Sequence, residues 1–216
     1  MNNQTIDGQL LFAQNAITNA IQTPGIAEPL AEFGYDNDRL IEGQAKYLKA
    51  ADLQTKQIKE YGEQYSATDA LNQSRDLAGK LYMTHLKIAR VALKGQRGVM
   101  ESLQMIGRRE KSLSGWLREA KAFYKNALAI PEVVPAMSRF SITAEKLQDG
   151  LDKISDVESK YNAQLKEKGE AQTATQLRDE AFDDLQEWMG DFLEISKIAL
   201  EEQEQYLEIL GVVRKN

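Results

Sequence analysis

The chain has 216 residues, with no cysteine, four prolines, one histidine and a net charge of −6. An apolar fraction of 42% and a small net charge for the length imply a folded chain large enough to bury a real core. Without a thiol there is no disulfide scaffold, no cysteine nucleophile and no cysteine-based zinc site.

The first predicted element is a short amphipathic helix over 8–22. Pro24 and Pro29 follow it, and proline lacks the amide donor a helix interior needs. A long helix is predicted over 36–61, with Leu40, Tyr47, Ala50 and Ile58 on one stripe. Gly62-Glu-Gln-Tyr-Ser66 then reads as a corner, because glycine suits a left-handed helix end and Ser66 has near-capping-box spacing to Asp69. A second long helix is predicted over 67–94 and a short closing turn over 99–105.

The same parts then recur. A short helix is predicted over 114–129, followed by Pro131 and Pro135, and long helices over 143–168 and 174–201. Gly169-Glu-Ala-Gln-Thr173 reads as the second corner, and 206–212 as the second closing turn. Sliding the chain on itself by 107 residues aligns 7–105 with 114–212 without a gap, at 25 identities in 99 positions. Chance composition gives roughly 6 or 7. Asn19-Ala20 falls on Asn126-Ala127, Gly43 on Gly150, and Gly62-Glu63 on Gly169-Glu170. No strand is predicted. The expected fold is all-α: an antiparallel four-helix bundle from two duplicated helical hairpins, with shorter helices packed on it. It is read as a single domain over 1–216, because neither repeat can bury its long-helix stripes alone.

The lone histidine, His85, lies on the stripe Ala78, Leu81, His85, Ile88, Ala92, and its counterpart is Phe192. It reads as a core histidine. Di-iron bundles need Glu-x-x-His on two helices, but position 82 is Tyr and no second histidine exists. There is no Gly-x-Ser-x-Gly elbow, and Gly95 and Gly98 lack the Lys-Ser/Thr that completes a phosphate loop. The acidic run Asp179-Glu180, Asp183-Asp184 reads as a solvated face. No catalytic, metal or cofactor-binding residue is expected, and the chain is read as a non-enzyme.

Charge separates the two copies. Residues 75–111 carry nine Lys/Arg against three Asp/Glu, whereas residues 170–208 carry two against twelve. Lys80, Lys87 and Lys94 correspond to Glu187, Glu194 and Glu201, and seven-residue spacing keeps each trio on one helix face. These six residues are the expected interaction face, with Trp116, which replaces Gln9, as a further contact candidate. Tyr47, Gln54, Tyr61 and Tyr65, with His85, are the candidate lining of a pocket between helices.

Overall acidity argues against nucleic acid as a partner. No segment approaches the ~20 apolar residues of a membrane span. Met1–Leu11 lacks a basic start and a long apolar run, so no secretory leader is expected and the expected location is cytoplasmic. In Gly169-Glu-Ala-Gln-Thr-Ala-Thr-Gln-Leu-Arg-Asp179, Trp188-Met-Gly-Asp-Phe-Leu-Glu-Ile-Ser-Lys-Ile-Ala-Leu200 and Glu208-Ile-Leu-Gly-Val212, the chain resembles uncharacterised bacterial helical-bundle proteins with an internal duplication. The resemblance implies a fold and brings no activity or site residue. The expected function is a structural or partner-binding bundle, acting on an unknown protein or by self-association. The alternative is small-molecule binding between helices.

Overall fold

The computed structural model describes residues 5–212, so residues 1–4 of the stretch read for a leader lie outside the described residues. Among the described residues all eight elements are helices: α1 (Ile6–Gln22), α2 (Pro24–Glu32), α3 (Asn37–Ala92), α4 (Arg97–Ser102), α5 (Leu113–Ala129), α6 (Val133–Ser138), α7 (Ala144–Ala199) and α8 (Glu204–Ile209). No strand occurs among the described residues.

Helices α5, α7 and α8 start and end 107 residues after α1, α3 and α4. Their ends match as well. Thr5 caps α1 by accepting the Gly8 amide at 3.2 Å, and Ser112 caps α5 by accepting the Gly115 amide at 3.1 Å. Pro24 opens α2, where a missing amide is harmless. Positive φ occurs at Gly34 and at Ser141, and again at Gln104 and Gly211, each pair 107 apart.

The expected corners at 62–66 and 169–173 do not form. Each long helix is one uninterrupted run of 56 residues, so the two hairpins of the expected four-helix bundle are absent. The reason is local. The Ser66 hydroxyl donates to the Gly62 carbonyl at 2.9 Å, and Thr68 and Thr175 bond the Gln64 and Ala171 carbonyls in the same way. Hydroxyls that would cap a helix start are thus satisfied inside one. A lone glycine without proline lowers helix stability by only about 1 kcal/mol, which a long helix absorbs.

The chain forms two compact units. Unit 1 is Met1–Tyr61 with Glu170–Asn216, and unit 2 is Gly62–Gly169. Each unit therefore takes the first half of one repeat and the second half of the other. Each has its own core. In unit 1, Ala13 and Ile17 of α1, Ile26 and Leu30 of α2, and Trp188 and Phe192 of α7 are buried together. In unit 2, Tyr82 and Leu86 of α3, Phe123 and Tyr124 of α5, Met137 of α6 and Leu147 of α7 are buried together.

One contact shows why Asn recurs at 19 and 126. The Asn19 amide donates to the Ile209 carbonyl at the end of α8 (2.9 Å), and the Asn126 amide donates to the Ser102 carbonyl at the end of α4 (2.6 Å). The last carbonyls of a helix have no partner within it, and these amides satisfy one in each unit.

Candidate functional site

The basic trio lies on α3 in unit 2. Lys80, Lys87 and Lys94 are all exposed, and Lys94 follows the helix end. Beside them run Leu77 (58% exposed), Thr84 and Val91 (61% exposed). Positions three apart on a helix are neighbours, so the two rows make one face. The opposite side of the same stretch carries the buried Ala78, Tyr82, His85 and Ala89. On this face Leu77 and Val91 stand singly, with Thr84 between them.

Of the acidic trio, Glu187 and Glu194 lie on α7 in unit 1 and Glu201 follows the helix end. Glu187, Glu194 and Glu201 are exposed, next to Asp184, Asp191 and Ile198 (54% exposed). Lys197 pairs with Glu194 from one turn away. Leu185, Trp188 and Phe192 occupy the buried side. By sequence, unit 2 carries 18 Lys/Arg and 13 Asp/Glu, a net +5, and unit 1 carries 9 and 20, a net −11.

Trp116 is half-buried on α5 and meets the Tyr82 ring edge-on, with ring centres 6.4 Å apart. It shares an open groove of about 500 Å³ with Arg75, Asp76, Gly79, Lys80 and Met83. Two residues of the expected interaction face, Trp116 and Lys80, are thus brought together in unit 2.

The five pocket candidates divide between the two units. Tyr47, Gln54 and Tyr61 belong to unit 1, and Tyr65 and His85 to unit 2. Gln54 is engaged by its neighbours: its carbonyl accepts from Arg178 at 3.0 Å, and its amide reaches Asp7 at 3.4 Å. At Gly43 the Trp188 ring lies closer to the backbone than any Cβ would allow. Tyr65 is 63% exposed.

His85 sits in an aromatic core. Its Nδ1 and the Tyr124 hydroxyl share a hydrogen bond of 3.1 Å, and the two rings meet edge-on. Burial pushes the imidazole below its usual pKa; the Asp149 charge opposes this and the Lys146 charge adds to it, both by less. Burial likewise pushes the Tyr124 and Tyr82 phenols up. All three groups are held neutral.

A polar cluster that sequence reasoning missed adjoins these rings. Arg109 donates to the Tyr82 hydroxyl at 3.3 Å and to the Gln104 carbonyl at 2.6 Å, and pairs with the buried Glu119 at 3.5 Å. Glu119 also accepts the Glu110 amide at 3.3 Å. The cluster ties the 103–112 connection onto α3 and α5. A signal for it lay in the repeat. At the positions of Glu119, Tyr82, Tyr124 and His85, the other copy has Phe12, Met189, Ile17 and Phe192. Unit 1 fills these places with apolar groups, so the fold does not require polarity there.

No protein-family model, curated protein or solved structure matches the chain. Among the described residues, no helix is long and apolar enough to cross a membrane.

Proposed function

We propose that this protein is a non-catalytic helical bundle that binds a protein partner through the exposed faces of α3 and α7. The observation that carries this reading is the basic α3 face, where Leu77 and Val91 stand more than half exposed beside three lysines, directly opposite the core. Mixed apolar and charged helix faces of this kind receive another amphipathic helix. The other titratable groups that stand out are buried, neutral and committed to packing, as His85 and Tyr124 are. That supports a binding role over an enzymatic one. The alternative, a small molecule held between helices, has its best footing in the groove of Trp116, Arg75 and Lys80.

The same reading takes the chain as a tandem duplication of a unit of about 107 residues, related to bacterial helical-bundle proteins and working in the cytoplasm. Identical helix lengths at the repeat offset and the repeated Asn19 and Asn126 contacts support the duplication.

Affinity capture from native lysate with the wild-type chain and with a K80E/K87E/K94E variant tests the binding role. A specific protein retained by the first and lost by the second is the expected result. Capture of the same proteins by both, or of none, contradicts it.

A further inference from the structure

We propose that the basic α3 face of one copy docks on the acidic α7 face of a second copy of this chain. This deepens the partner-binding reading and rests on it.

The argument is complementarity between two faces built alike. Both lie on the side of a long helix away from its core. Both present charges at the same interval: Lys80, Lys87 and Lys94 on one, Glu187, Glu194 and Glu201 on the other, each trio seven residues apart. Beside them run Leu77, Thr84 and Val91 on the first face, and Asp184, Asp191 and Ile198 on the second. Seven residues bring a helix back to nearly the same side, so Lys80 and Lys87 on α3 and Glu187 and Glu194 on α7 hold one register, with Lys94 and Glu201 just past the helix ends. In antiparallel pairing Lys87 faces Glu194, Lys80 faces Glu201, and Lys94 faces Glu187.

Charge also restricts the occupant. Two basic faces repel each other, as do two acidic ones, so only the unlike pairing is favoured. Nucleic acid is disfavoured for the whole chain by the net −11 of unit 1. A second copy supplies the needed acidic helix with matching spacing. Each copy carries both faces, so two copies either exchange both contacts in an isologous two-fold dimer or join heterologously into a ring or a head-to-tail chain. Exposed pairs are individually weak and strongly screened, which makes the association salt-sensitive.

Charge-reversed variants test the proposal. K80E/K87E/K94E makes both faces acidic, and E187K/E194K/E201K makes both basic. All six side chains are exposed, and circular dichroism verifies that the variants keep their helix. In sedimentation velocity at low salt, the wild type is expected above its 24.3 kDa monomer mass, each variant at that mass, and an equimolar mixture of the two above it again. A monomeric wild type, variants that associate like the wild type, or a mixture of folded variants that stays monomeric each overturns the proposal. If the wild type is monomeric while lysate capture of a different protein still depends on the lysines, self-docking fails and the partner-binding reading stands. Loss of both results removes both.

Discussion

At the residue scale, the informative positions are those where the two units place unlike groups in like surroundings. His85 stands where unit 1 has Phe192, and Tyr124 where it has Ile17. Because burial lowers the His85 pKa, the unfolded chain takes up a proton at about pH 6.5 before the folded chain does. The unfolded state then binds more protons, so stability rises with pH through that window and is lost as pH falls below it. Chemical denaturation between pH 5 and pH 8 is expected to show this slope in the wild type. His85→Phe should lose it while keeping or raising stability at the acid end. As the only histidine, His85 also gives a single imidazole NMR titration. Equal slopes in the wild type and the variant would contradict the assignment. The Glu119–Arg109–Tyr82 cluster was hidden for a related reason. Glu119 reads as an ordinary surface charge of an amphipathic helix until Arg109, ten residues earlier, is folded back onto it.

At the element scale, the ends of α1 and α5 before Pro24 and Pro131 were legible, because proline acts within a few residues, whereas α2 and α6, which carry Pro29 and Pro135 inside them, were not read as helices. The corners at Gly62 and Gly169 were misread, because glycine followed by Ser or Thr serves both a turn and a continuous helix. The two readings differ for Gly62→Ala. In a left-handed turn alanine destabilises. Within α3, where a Cβ on Gly62 meets nothing, it should stabilise by about 0.5–1 kcal/mol in chemical denaturation. Destabilisation would restore the turn.

Which halves pair was also written in side-chain size. On Gly43 rests the Trp188 ring from α7, whereas on the equivalent Gly150 rests the Tyr124 ring from α5. Each glycine slot holds one large ring. Unit 1 combines small Ile17 with Trp188, and unit 2 combines large Tyr124 with Leu81. Halves drawn from a single repeat would join small with small or large with large. Ile17→Tyr should therefore overpack by about 1–3 kcal/mol. Trp188→Leu should cost about 2–3 kcal/mol. The double variant should cost at least ~1 kcal/mol less than their sum, and strict additivity would contradict the pairing.

At the scale of the whole molecule, the net −6 conceals a division between a unit at −11 and a unit at +5. The sign change between the copies was readable from the repeat alignment. Its assignment to two units was not, because that depends on the half-exchange, which periodicity does not encode. The consequence for function is that one chain carries both members of a complementary pair of helix faces. The most direct measurement is sedimentation equilibrium of the wild-type chain at low salt and at about 1 M salt, where the Debye length falls to about 3 Å. A mass of two or more copies at low salt that falls to 24.3 kDa at high salt is the expected result. A mass of 24.3 kDa under both conditions, or a multimer indifferent to salt, would contradict it.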